Sequence, residues 1–237
     1  MATTNVGWPL RQGGAATRPY PDFGGETSAI YCYDIVPATL AANNIAASQA
    51  VASATTVVLT AGSGVTATVV NGVTRYRLDV PRAVRIVSAG NDSGITFTVA
   101  GYDVYGAPMT ETITGANAST ANGNKAWYDI VTITTSGAVA TTVTIGTTDK
   151  LGLPYQVLDA GRIISVKWNN TLAADAGTFV ASVTTTPSAT TGDVRGTYTP
   201  SSASDGSKRL VIAMLLPNPD KANAATTETS LYGRVQA

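Results

Sequence analysis

Between Ile95 and Tyr155 the chain alternates apolar and hydroxyl side chains with a period of two, in runs broken by Gly, Asn and Pro. Ile95, Phe97 and Val99 stand against Thr96 and Thr98; after Tyr105-Gly106-Ala107-Pro108, Met109, Glu111 and Ile113 share one parity and Thr110, Thr112 and Thr114 the other. Val131 and Ile133 against Thr132 and Thr134, then Val143 and Ile145 against Thr142 and Thr144, repeat the pattern. A period of two between turn signals predicts half-buried antiparallel strands, with the apolar parity inward and a hydroxyl-rich face outward.

Shorter runs flank this block. Thr56–Leu59, Val65–Val70, Val73–Leu78 and Ala83–Ser88 read as strands before it. Asn71-Gly72 between Val70 and Val73 predicts a two-residue hairpin, because a type I′ turn needs positive φ at both central residues. The small-residue stretch AASQAVASA, near Ile45 to Ala54, reads as a helical turn or a linker, since it carries no wide apolar stripe. GANASTANGN, Gly115 to Asn124, reads as a polar loop projecting from one end of the sheet. Arg162–Trp168 and Phe179–Thr185 continue the strand pattern, and Leu210–Leu216, apolar on both parities, predicts a central strand closed by Pro217 and Pro219. About ten short strands with no long helix predict an all-β chain, an antiparallel β-sandwich or jelly-roll-like domain with an extended N-terminal arm. The expected layout is an arm over 1–45, a main domain over 46–216 with a subdivision near 155 left open, and a polar tail over 217–237.

The arm follows from its punctuation. Pro9, Pro19, Pro21 and Pro37 and two glycine pairs exclude a long helix or a central strand, yet Trp8, Tyr20, Phe23, Tyr31 and Tyr33 are too many rings for a solvated linker. The arm therefore packs its aromatics either on its own domain or across another subunit. These five residues are the expected contact set. A second set is Asn117, Asn122, Trp127 and Tyr128, in and just after the polar loop, which would offer exposed groups to a partner.

Composition removes several chemistries. The chain has 15 basic and 15 acidic residues, 13% charged in all, with no basic cluster, so neither nucleic acid nor an anionic membrane is an expected partner. It has no histidine and a single cysteine, Cys32, which excludes an intrachain disulfide, a His-based zinc site and a Ser-His-Asp triad. No run of about 18 apolar residues predicts a membrane span, and MATTNVGWPLRQ does not read as a secretory signal. Asp103 and Glu111 flank one turn and are the carboxylates to weigh for catalysis, but an Asx turn at Asp103 and pairing of Glu111 with Arg82 or Arg85 account for them. Asp92, Asp103, Asp149 and Asp175 lack the spacing of a calcium loop. The expectation is a chain that is not an enzyme, with no catalytic residue, metal or cofactor.

Several segments together resemble the structural proteins of tailed bacteriophages: Val80-Pro81-Arg82, Ser88 to Phe97, Gly101 to Gly106, Thr110 to Ile113, Gly152-Leu153-Pro154 and Asp193 to Pro200. The resemblance spans roughly residues 80–216 and rests on loose motifs. It implies a virion protein made in the bacterial host cytoplasm, most like a decoration or cement protein on the exterior of the icosahedral capsid. Such proteins are commonly homotrimers that bind adjacent major capsid proteins, so the implied partners are the major capsid protein and the chain itself. The alternative is a head-fibre or tail component that adheres to host-surface glycans.

Overall fold

The structure, a computed structural model, describes residues 30–216, 232 and 235–237. Trp8, Tyr20 and Phe23 and most of the 217–237 tail lie outside the described residues. The described chain is built from antiparallel strands in two sheets, so the all-β, sandwich-like expectation holds. A three-stranded sheet has the order β1 (Ile30–Ile35), β13 (Leu210–Leu215), β10 (Ile163–Trp168).

The larger sheet has ten strands and one long organiser, β4 (Val73–Ser88). On one side β4 pairs in turn with β3 (Val65–Val70) and β9 (Val143–Gly152); on the other it pairs in turn with β8 (Trp127–Thr135) and β7 (Thr120–Asn122). Beyond β8 come β5 (Thr96–Tyr102) and β6 (Pro108–Thr114); beyond β9 come β12 (Thr197–Thr199) and β11 (Thr178–Val180), with β2 (Ala46–Gln49) also on β9. The β3–β4 hairpin closes at Val70↔Val73 with φ of 52° at Asn71 and 79° at Gly72, the geometry the Asn-Gly pair predicts. On β5 and β6 the buried parity is Phe97, Val99, Met109, Glu111 and Ile113, as the alternation predicts.

Two predicted strands fuse. Val73–Leu78 and Ala83–Ser88 are one strand, because Pro81 falls inside the irregularity against β8 and, on the other side, between the last β3 pair at Leu78 and the first β9 pair at Arg82. Register shifts lie between Arg77 and Arg82 against β8 and between Arg82 and Val84 against β9. A proline without an N–H to donate is tolerated at such an irregularity. Arg82 beside it is fully buried and satisfied: Nε donates to the Thr148 carbonyl at 3.0 Å, Nη1 to the Ala38 carbonyl at 3.2 Å and Asp79 Oδ1 at 3.1 Å, and Nη2 to Asp149 Oδ1 at 2.8 Å. With Nη2 also donating to the Ser204 hydroxyl at 3.2 Å, one guanidinium ties together four chain segments. A second close approach sits at Gly101, where a Cβ would lie 2.0 Å from the Asp129 carbonyl; only glycine lets β5 and β8 come together at that bulge.

Three expectations change. The stretch AASQ is strand β2, with Ala46 opposite Ile145 and Gln49 opposite Val143, since a neighbouring strand supplies the order that its own side chains do not. The Gly115–Asn124 segment does not project: β7 folds back along Arg85–Val87 of β4, and Gly123 is buried against the Glu111 carboxylate. The predicted arm reached residue 45, but Ile30–Ile35 is a strand of the small sheet, and Asn44 and Ile45 are buried in the domain.

The core divides as the sheets do. Ile45, Val84, Ile86, Phe97, Trp127, Ile130, Ile133 and Ile145 belong to one apolar cluster. Leu151 from β9, Tyr198 from β12 and Val80 from β4 meet Val166, Trp168, Leu210, Ile212 and Met214 in a second, which is where the small sheet packs on the large one.

Candidate functional site

The small sheet uses one face for that second core. Tyr31 and Tyr33 of β1 stand opposite Met214 and Ile212, and these share the inward face with Leu210. The residues of opposite parity point away. Ile30 faces Leu215, Cys32 faces Ala213 and Asp34 faces Val211; across β13, Ala213 and Val211 face Ser165 and Lys167 of β10. Ile164, the extra residue at a bulge in β10, is 51% exposed and Ile30 is 53% exposed. Cys32 is a free, exposed thiol. The outer face is therefore apolar across Ile30, Leu215, Ala213, Val211 and Ile164, and its charges gather at one end. There Asp34 receives the Arg209 guanidinium, Nε to Oδ1 at 2.6 Å, and Lys167 donates to the Leu172 carbonyl. The Asp34 carboxyl is held below its ordinary range by the hydrogen bond from Arg209.

The edges of the two sheets differ as well. On β6 of the large sheet, the Thr110 and Thr112 amides donate to the Ala237 and Ala189 carbonyls, so loop and C-terminal backbone cover that edge. On the small sheet β1 pairs with β13 alone among the described residues, and its other edge carries no ladder. An open strand edge beside an apolar face is a surface on which another chain can pair.

A file of tyrosines runs from this sheet along the surface. Tyr31 meets Tyr155 edge-on with ring centroids 4.8 Å apart, Tyr155 meets Tyr232 at 5.8 Å, and Tyr232 meets Tyr105 at 4.8 Å. The file ends at Arg195, whose guanidinium carbon lies 5.3 Å from the Tyr105 ring centroid and whose Nη1 is 2.9 Å from Asp103 Oδ2. Tyr105 and Tyr232 are 47% and 48% exposed. Burial of the rest of its ring, against the opposing pull of Arg195, pushes the Tyr105 hydroxyl up to about 12, and that hydroxyl donates to the Pro154 carbonyl. Burial raises Tyr155 too. The file therefore offers uncharged rings with polar tips, suited to packing and hydrogen bonding.

The predicted contact residues fall in different places. Tyr31 joins the tyrosine file, but Tyr33 is 8% exposed and lies in the second core, where burial raises its hydroxyl well above the ordinary range. In the second set, Asn117 and Asn122 are exposed, Asn117 bridging to Asn91 and Asn122 pairing with Arg85 on β4. Trp127 is fully buried in the first core, its Nε1 donating to Glu111 Oε2 at 3.0 Å, so it is no surface contact. Tyr128 is half-buried beneath Arg77, 5.0 Å from its ring centroid. Tyr105, Tyr155 and Tyr232 escaped the sequence reading. Their signal was an aromatic beside Gly or Pro, in Tyr105-Gly106, Pro154-Tyr155 and Tyr232-Gly233.

The two carboxylates weighed for catalysis do separate structural work. Asp103 Oδ1 accepts from the Tyr105 and Ala107 amides at 2.9 and 2.8 Å, the expected Asx turn, while Oδ2 takes Arg195. Glu111 pairs in register with Val99, three ladder steps from the Tyr102↔Pro108 end of the hairpin. Among the described residues no arginine pairs with it. It accepts from the Asn124 and Lys125 amides and from Trp127, and burial raises its carboxyl despite these bonds. Lys125, also fully buried and lowered by burial, donates Nζ to the Thr110 and Ala237 carbonyls at 2.9 and 2.8 Å. Among the described residues no three Asp, Glu or Cys side chains gather as a metal site. Comparison with known protein families, curated proteins and solved structures returns no match for this chain.

Proposed function

We propose that this chain is a non-enzymatic decoration protein of a tailed-bacteriophage head, binding the outside of the icosahedral shell and reinforcing contacts between major capsid proteins. The observation that carries the reading is the small sheet: an apolar outer face, an open β1 edge, and the tyrosine file beginning on the same strand. A surface of that kind suits attachment to another protein, because it joins main-chain pairing to apolar burial and places few charges in the contact. In a homotrimer three such surfaces would engage the shell together, and several modest contacts would act as one tight attachment.

A second reading, adhesion to host glycans by a head fibre or tail part, draws on the half-exposed rings of Tyr105 and Tyr232, which suit stacking against sugars. Copy number separates the two. Quantitative mass spectrometry of purified virions, referenced to the major capsid protein, is expected to find the chain in amounts comparable to capsid subunits. A handful of copies per particle would favour the fibre or tail reading, and absence from the particle would overturn both.

A further inference from the structure

Independently of that reading, one described arginine of the large sheet makes no ion pair. Among the described arginines, Arg75 and Arg77 pair with Asp129, Arg82 with Asp79 and Asp149, Arg162 with Asp159, Arg195 with Asp103 and Arg209 with Asp34. Arg85 alone of these has no carboxylate within ion-pair distance, and its Nε is buried with no hydrogen-bond acceptor. A buried donor left unsatisfied costs stability, so its retention asks for a reason. Arg85 opens into a cavity of about 290 Å³ between β4, β7, β9 and β12, lined also by Lys150, Asn122, Thr148, Thr199 and Asp149.

The charge balance of the cavity is positive. Asp149 is already spent: Oδ1 accepts from Arg82 at 2.8 Å and from the Ser204 hydroxyl at 2.6 Å, and Oδ2 accepts from the Ser204 amide at 2.9 Å. Lys150 Nζ donates to the Gly123 carbonyl and Asn124 Oδ1, which uses two of its three protons. Burial holds both Arg85 and Lys150 below their ordinary pKa, a cost that an anion between them would reverse.

We propose that this cavity binds a small oxyanion, a phosphate, sulfate or carboxylate group, gripped by the Arg85 guanidinium and assisted by Lys150, with the Asn122 amide and Thr199 hydroxyl beside them. A planar guanidinium with no carboxylate partner presents a fork of donors that can pair two oxygens of such a group.

The test is calorimetric titration and thermal unfolding of the full chain with sodium phosphate, sodium sulfate and sodium acetate, at ionic strength held constant with sodium chloride. Saturable binding of at least one of the three is expected, with a rise in unfolding temperature that sodium chloride does not reproduce. Arg85→Met should weaken that binding at least tenfold while keeping the wild-type circular dichroism spectrum, and Lys150→Gln should weaken it less. Preference for acetate would assign the site to carboxylates, and preference for phosphate or sulfate to tetrahedral anions. No saturable response to any of the three, or an undiminished response in a folded Arg85→Met protein, would overturn the proposal.

Discussion

The two sheets solve the same problem differently. Arg85 apart, the ten-stranded sheet meets its charges internally: Arg82 serves Asp79 and Asp149, Arg77 takes Asp129 through two bonds of 2.8 and 3.0 Å, and Glu111 collects three donors from the segment that follows it. Its β6 edge is covered by backbone from residues 189 and 237. The three-stranded sheet satisfies only its inner face. Its outer face leaves Ile30 and Ile164 half in solvent, and its ion pair, Asp34–Arg209, is a surface one. Among the described residues one sheet is closed at its edge and the other is not, and on the proposed reading the first carries stability and the second recognition.

The largest blow to that division should come from Trp127→Ala in the closed sheet. Removing a fully buried indole leaves a cavity and deprives Glu111 of a donor, so the folded state should lose about 3–5 kcal/mol, read from chemical denaturation. A cost under 1 kcal/mol would mean that Trp127 lies at the surface after all.

The pH dependence sharpens the same contrast. Glu111 is raised in the folded protein above its unfolded value of about 4.3, chiefly by burial. Its contribution is therefore fully present below that value and is lost as pH rises through its folded pKa. Wild type should lose stability relative to Glu111→Gln as pH rises from 4 toward neutrality, measured as denaturation midpoints across that range. Asp34, lowered by Arg209, has the opposite sign: its contribution is present above its unfolded pKa and is lost as pH falls through its folded one. A wild-type gain over Glu111→Gln with rising pH would contradict the burial of that carboxylate.

The smallest effect on stability, and the largest on attachment, belongs to the open sheet. Ile30→Asp exchanges a half-exposed side chain and should leave unfolding within about 0.5 kcal/mol of wild type. The same variant should no longer sediment with shells that bind the wild-type protein. Retained binding would remove the outer face from the contact.

The alternation of β5, β6 and β9 and the Asn71-Gly72 hairpin were legible because each is a local signal: parity in the strands, positive φ in the turn. What escaped depends on partners distant in sequence. AASQ is a strand only because β9 lies beside it, and β4 runs through Pro81 only because irregularities on both flanks excuse the missing N–H. Trp127 follows a polar, glycine-containing segment and so looked exposed; the fold-back of β7 and the reach of Glu111 bury it. Of the proposed contact surface, Tyr31 could be named from sequence, whereas the file it begins joins residues 31, 105, 155 and 232, which no local pattern connects.

Cys32 offers the most direct measurement. It is the chain's one thiol, exposed on the outer face of β1 opposite Ala213, and it needs no substitution to serve as a probe. The rate of its reaction with a maleimide should be compared for the purified protein in solution and for the protein on intact virions. Rapid labelling in solution and strong protection on the particle are the predicted result. Equal labelling in both would contradict the claim that the open face of the small sheet is the surface through which this protein attaches.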